Sequence, residues 1–388
     1  MDYQINELTR KTQLVFFLES ICQKLELTPT QYDDAKQKYE SVAKWIGESS
    51  DERISNINIY PQGSMRLETT VKPIGQDEFD IDLMSHLSLS SFEISSKEVN
   101  RLIGDRLREH KTYKEMLVPL NRGWRLDYAN EFHLDITPCI NDVTNWNGSV
   151  LVPDREQKEW KQSNPKGYAK LFEIRSELQP TFLIEESLMY KANIESLPEP
   201  RKFKGILKRS VQLLKRHRDI YFAEKNSKLA PISIIITTLA SKAYEKCVNG
   251  YTYTNELDIL TDILKHMDEF IKITKYQGRS FYEIPNETSE GENFAEKWNL
   301  HPERAESYFE WRTNALENIE EMINTNGLDM IGERLSKSFG QSVAKLSMES
   351  MTNNVNIARK SQSLFVASGL GLSTNAGAEI KPNTFFGK

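Results

Sequence analysis

Between residues 10 and 48 the apolar side chains Val15, Phe16, Leu18, Ile21, Leu25, Tyr39, Val42 and Ile46 recur at helical spacing. An interruption at Thr28-Pro29-Thr30 divides them into two helices. From Ile54 to Ile140 the period shortens to two and predicts strands, with one helical interlude over Val99–His110 that buries Leu102, Ile103 and Leu107. The polar stretch Asn141–Gly167, punctuated by Pro153 and Pro165, reads as a long loop or flap, and Leu197-Pro-Glu-Pro200 as a linker. Beyond it the helical period returns near 202–224, 231–247, 255–274 and 303–325, and more weakly near 328–346. The Glu-, Asn- and Gly-rich segment Gly278–His301 is expected to be a mobile loop, and the Gly-rich tail from Ser368 offers no periodic face and is expected to be disordered. The pattern describes an α+β core followed by a helical half.

Two strands carry chemistry. In Glu78-Phe-Asp-Ile-Asp-Leu83, Phe79, Ile81 and Leu83 point to the core and leave Asp80 and Asp82 together on the other face. Adjacent carboxylates repel, and hard divalent ions such as Mg²⁺, which take oxygen ligands, relieve that repulsion. A two-ion site calls for a third carboxylate. Phe132-His-Leu-Asp-Ile-Thr137 repeats the alternation and offers Asp135 beside His133 and Thr137, delivered by a hairpin whose first strand is Arg122–Tyr128. Asp127, on that first strand, is the rival. Upstream, Tyr60-Pro-Gln-Gly-Ser-Met-Arg-Leu67 places a Gly-Ser turn sixteen residues before Asp80, and Gly63 lets the backbone approach phosphate closely. An Asp-x-Asp pair or a Gly-Ser turn alone is common; their order and strand context point to nucleotidyl transfer.

These residues carry a resemblance. Gln62-Gly63-Ser64, Thr69-Thr70-Val-Lys-Pro73, Glu78-Phe-Asp-Ile-Asp-Leu83 and Leu134-Asp-Ile-Thr-Pro138 resemble the CD-NTases, bacterial relatives of cyclic GMP-AMP synthase and oligoadenylate synthetase. Gln212-Leu-Leu-Lys-Arg-His-Arg-Asp219, Pro231-Ile-Ser-Ile-Ile-Ile-Thr-Thr-Leu239 and the end Phe385-Phe386-Gly387 extend the resemblance along the whole chain. It implies a two-lobed fold: a DNA polymerase β-like nucleotidyltransferase core (1–198), a helical domain closing the nucleotide cleft (199–350) and a flexible tail (351–388). It implies that Asp80, Asp82 and Asp135 hold two Mg²⁺ or Mn²⁺ ions. Gln62, Gly63 and Ser64 would bind nucleotide with Lys215 and Ser233, the positions matching the family's triphosphate-binding Lys and Ser. The implied reaction joins NTPs, ATP or GTP, into a cyclic di- or trinucleotide that activates a separate effector in anti-phage (CBASS) signalling. The implied fate of the tail is attachment to other molecules by an E1/E2-like protein. Where relatives carry Gly after the Gly-Ser turn, this chain has Glu68, which bears on the local backbone or the pocket.

Composition narrows the field. With 388 residues there is room for two cores, and a net charge of −6 with a pI near 5.7 argues against a long nucleic acid partner. Lys204, Lys208, Lys215 and Arg218 nevertheless share one edge of a predicted helix, a local basic cluster sufficient for a nucleotide or simply a solvated face. Cys22, Cys139 and Cys247 lie far apart without zinc spacing, no stretch reaches membrane-span length, and the first residues lack an export signal, so the cytoplasm is expected. Two other readings stay open. One is a nucleotidyltransferase acting on RNA 3′ ends or on a protein, disfavoured for long RNA by the acidic balance. The other is a non-catalytic nucleotide-binding or antitoxin-like module, disfavoured by three Asp in place.

Overall fold

The computed structural model describes residues 2–75, 78–129, 131–145, 147–156, 158–183 and 204–360, with three short strands beyond. Helices Asp2–Leu25 and Pro29–Gly47 open the chain. They part at Thr28, whose side chain accepts from the backbone N–H of Gln31 while the Gln31 side chain accepts from Thr28, a reciprocal cap that starts the second helix at Pro29.

The sheet has seven strands: β1 (Asn58–Gln62), β2 (Phe79–Leu87), β3 (Leu117–Leu120), β4 (Gly123–Tyr128), β5 (Phe132–Asn141), β6 (Val150–Asp154) and β7 (Glu159–Ser163). Five of them run in the order β1-β2-β5-β4-β3, with β6 joined to the end of β5 and β7 to β6. Among the described pairs of this sheet, β2 with β5 is the parallel one. The alternation expected on β2 and β5 is the alternation observed: Phe79, Ile81, Leu83, Phe132, Leu134 and Ile136 are buried. They meet Val42 and Ile46 of the second helix and Val99, Ile103 and Leu107 of Ser96–Arg108, the helix of the predicted interlude.

A second core gathers helices Ile206–Ala223, Ser233–Gly250, Glu256–His266, Glu303–Asn324, Leu328–Phe339 and Gln341–Lys360. Leu14, Phe17 and Ile21 of the first helix and Phe172 of Pro165–Ser176 belong to this core, so the chain's opening helix packs with the helical half.

Four sequence expectations are corrected. The flap over 141–167 contains the β6–β7 hairpin. Pro153 misled because proline lacks the N–H a central strand needs, yet β5 pairs with β6 only at Val150 and Leu151 and leaves Pro153 past its end. The helix expected to reach residue 274 stops at His266, and Lys272–Tyr276 pairs with Arg279–Glu283 across Gln277 and Gly278, both at positive φ as a tight hairpin turn requires. The weak helix over 328–346 is two helices, broken at Gly340 with φ +95°, a helix-ending conformation suited to glycine. The second of these continues to Lys360, past residue 350, and Phe365–Ala367 then pairs with Gly371–Ser373 and Ala378–Glu379. The linker Leu197–Pro200 and the terminal Phe385-Phe386-Gly387 lie outside the described residues.

Candidate active site

β1 ends at Gln62, directly opposite Asp82 of β2. The next residue, Gly63, has φ +61°, and a Cβ built on it would lie 2.2 Å from Asp82 Oδ2, so only glycine fits both the backbone and the space. Ser64 follows in the one-turn helix Gly63–Arg66, with the Thr70 hydroxyl donating toward its Oγ at 3.4 Å and its carbonyl accepting from the Thr69 N–H at 2.9 Å.

The parallel pairing of β2 and β5 sets Asp82 opposite Asp135, with Asp80 opposite His133. Because side chains two apart on a strand share a face, Asp80, Asp82 and Asp135 project together. The Asp135 side chain is 17% exposed and that of Asp80 56%. Burial, then the negative charge of Asp135 and of Asp80, pushes Asp82 up to about 7; Lys215 and Arg125 pull the other way. A surplus of hard oxygen ligands, one of them reluctant to ionise without a counter-charge, fits a magnesium-type divalent site.

Arg125, which the sequence reading missed, stands directly across β4 from Asp135. Its Nε donates to Asp135 Oδ1 at 2.6 Å, and its Nη2 to Asp135 Oδ2 at 2.8 Å and to Asp80 Oδ1 at 3.0 Å. The signal was the alternation of Arg125 with Leu126 on the strand already predicted, but an Arg there reads equally as a surface residue. Asp127, the rival ligand, sits elsewhere: with Glu78 and His133 it offers ligand atoms within 4.8 Å of one another, a second group able to hold a cation. His133 also approaches Asp80 Oδ1 through Nδ1 at 3.2 Å and so joins the two groups.

Beneath the turn, the helix Ile206–Ala223 grips three backbone carbonyls of residues 69–72. Gln212 Nε2 donates to Thr70 O at 2.9 Å, Lys215 Nζ to Thr69 O at 2.8 Å and Arg216 Nη1 to Lys72 O at 3.4 Å. Lys215 is 5% exposed, and burial lowers it to about 8, with Arg218 contributing in the same direction. Its ammonium supports the turn from below. Lys204 pairs with Glu26 at 2.8 Å, Lys208 with Glu68 at 2.7 Å and Arg218 with Asp219 at 2.7 Å, so the predicted cationic edge is ion-paired rather than solvated. Ser233 opens its helix as predicted, and its hydroxyl accepts from Arg218 Nη1 at 3.1 Å.

Glu68 has φ +56°, which explains why glycine suits this position: the backbone keeps the left-handed conformation and the side chain reaches Lys208. Left-handed backbone costs a non-glycine residue about 1 kcal/mol, whereas an exposed ion pair contributes roughly 0.5 kcal/mol. Glu68→Gly is therefore expected to stabilise the protein by about 0.5 kcal/mol in urea unfolding; a loss of stability would show that the Lys208 pair outweighs the strain.

A cleft of about 1210 Å³ opens beside the acids. Gln62, Gly63, Arg66 and Asp82 line one side, Trp160–Asn164 another, and Ile232, Ile234 and Ile235 a third. Asn286 and residues from Gly291 to Arg304 complete the lining, most of them within Gly278–His301, the stretch expected to be a mobile loop. It is held in place: Asn164 Nδ2 donates to Thr288 O at 2.7 Å, Lys161 pairs with Glu296 at 3.2 Å, and Ile284, Ala295 and Trp298 are buried.

A family model, the Second Messenger Oligonucleotide or Dinucleotide Synthetase (SMODS) domain, matches residues 13–175. A c-di-GMP synthase of Roseivirga ehrenbergii is 31% identical over 386 residues, 97% of this chain and 98% of the relative. The solved structure of the Bradyrhizobium diazoefficiens CD-NTase CdnG in complex with GTP aligns with a TM-score of 0.64 at 20% identity, over 87% of this chain and 98% of that one. The GTP-bound form of Vibrio cholerae DncV aligns at 0.53 with 16% identity, over 89% of each.

Proposed function

Since the chain belongs to the CD-NTases and is a nucleotidyltransferase making a cyclic oligonucleotide second messenger, we propose that Asp80, Asp82 and Asp135 are its catalytic carboxylates and that it joins GTP into cyclic di-GMP. The observation that carries the site is the register of β2 on β5, which sets Asp82 opposite Asp135 beside the Gly63 turn. The product is suggested by the full-length relative named for c-di-GMP synthesis.

In this reading the three carboxylates hold two Mg²⁺ or Mn²⁺ ions. Bound there, such ions would supply acidification of an attacking ribose hydroxyl and neutralisation of charge on a leaving pyrophosphate. Gln62, Gly63 and Ser64 hold the donor's β- and γ-phosphates, the glycine because no side chain intervenes. Lys215 acts by fixing Thr69 and by placing positive charge under the turn, and Ser233 sits at a helix start whose free N–H groups favour anions. The helical half closes the cleft over the nucleotides. Incubating the purified protein with all four NTPs and Mg²⁺ or Mn²⁺ should give a phosphatase-resistant product with the mass of cyclic di-GMP. A labelled RNA or protein instead would favour the RNA- or protein-modifying alternative, and no pyrophosphate release the binding-module alternative.

Lys215→Ala is expected to raise the KM for GTP about tenfold while lowering kcat less, because turn support acts on ground and transition states alike. Lys208→Ala is the comparison, and equal small effects at both positions would remove Lys215 from nucleotide binding. The tail's role, attachment through its Phe385-Phe386-Gly387 end by an E1/E2-like protein, predicts that deleting 380–388 spares basal synthesis and abolishes phage protection in cells that carry such a partner. Protection surviving the deletion would contradict it.

A further inference from the structure

We infer that Arg125 is a counter-cation built into the site, and that it makes the three carboxylates hold a bare divalent ion weakly and one arriving with a triphosphate more tightly. The inference rests on the assignment of Asp80, Asp82 and Asp135 as metal ligands.

Both oxygens of Asp135 are engaged by the Arg125 fork, at 2.6 and 2.8 Å, and the same Nη2 reaches Asp80 at 3.0 Å. A guanidinium does not lose its proton, and a bidentate pair with a carboxylate is among the stronger charge-assisted contacts. Its placement is fixed by the sheet rather than by a flexible stem, because Arg125 and Asp135 are direct partners in the β4–β5 ladder. A bare cation coming to Asp135 must share both oxygens with the fork or displace it, and it meets the guanidinium's positive charge beside them. The complex of a divalent ion with a nucleoside triphosphate is net negative, so the same guanidinium attracts it. Arg125 is thus a positioning residue: it aligns Asp135 before substrate arrives and couples ion entry to nucleotide entry.

The test is Mn²⁺ binding to the full-length protein, followed by the electron paramagnetic resonance of free Mn²⁺, with and without a non-hydrolysable GTP analogue. Arg125→Gln is expected to bind bare Mn²⁺ about tenfold more tightly than wild type, the order expected from removing one nearby charge, and to lose most of the gain that the analogue gives wild type. Arg125→Lys, which keeps the charge, should bind bare Mn²⁺ within about threefold of wild type. Bare-ion affinity in Arg125→Gln equal to or weaker than wild type overturns the inference. Asp82→Asn separates the two assignments, since the failure of that variant to weaken Mn²⁺ binding overturns the metal site itself. Should Arg125→Gln not fold, ¹⁵N-arginine-labelled wild type supplies the reading. The Nε–H signal that Arg125→Lys removes should move when Mg²⁺ is added with the analogue and stay in place with the same Mg²⁺ alone; a signal unmoved in both, or moved equally by both, also overturns it.

Discussion

Replacing Asp80 and Asp82 together by Asn is expected to abolish product formation while raising the melting temperature of the metal-free protein. The carboxylates are held together by the strand, two on β2 and the third directly across on β5, so their mutual repulsion is built into the fold. Asp82 feels it most: its pKa rises from 3.8 to about 7, through burial and then the charges of Asp135 and Asp80. A carboxyl with a raised folded-state pKa keeps its proton in the native protein after the unfolded chain has released it. Its contribution to stability is therefore whole below about pH 4, declines as pH rises between 3.8 and about 7, and levels off above. Asn at this position removes that decline, a gain on the order of 2 kcal/mol at pH 8 after allowance for solvent around a partly exposed group. Thermal melts in chelator from pH 4 to 8 should show wild type losing stability relative to the double variant as pH rises. Parallel curves, or residual product by mass spectrometry, would remove these residues from the proposed centre.

Gly63→Ala is expected to lower kcat/KM by roughly 100- to 1000-fold, as displacements of about an ångström at a reacting centre do, and to destabilise the fold by about 1–2 kcal/mol. Two causes act together. Alanine resists the φ of +61°, and its Cβ would stand 2.2 Å from Asp82 Oδ2, a distance that forces the carboxylate or the turn to move. Either movement separates the backbone proposed to bind phosphate from the carboxylate it faces. Activity within threefold of wild type, measured as pyrophosphate release, would show that the turn does not position nucleotide. Gly278→Ala, in the hairpin remote from the acids and also at positive φ, with open space around its Cβ, is the control for strain without a clash.

Features that depend on near neighbours could be read from the residues in order along the chain. Period-two burial on Phe79–Leu83 and Phe132–Ile136 put the acids on the face of their strands away from the core, and the Gly-Ser turn before them was legible as a turn. The break at Thr28-Pro29-Thr30 and the amphipathic stripe of Ser96–Arg108 were legible for the same reason, that a helix's ends and faces are written within one or two turns. Which buried face meets which was settled by the three-dimensional packing. An apolar stripe on Asp2–Leu25 says that the helix is covered, and folding alone says that the cover is the helical half. The register of Asp82 against Asp135 arises from pairing strands about fifty residues apart, and a slip of one residue would have turned the third acid to the opposite face. Arg125 acquired its meaning only when β4 paired with β5, and the cationic edge of Ile206–Ala223 only when Glu26, Glu68 and the carbonyl of Thr69 came to lie against it. The stretch Gly278–His301 is a clear case. Its polar composition reads as loop because it lacks a periodic apolar face, yet Asn293 Oδ1 accepts from the N–H groups of Ile284 and Ala295, and Asn164 reaches in from a distant strand end. Order there rests on side-chain to backbone hydrogen bonds, and those depend on distances in space that no local period encodes.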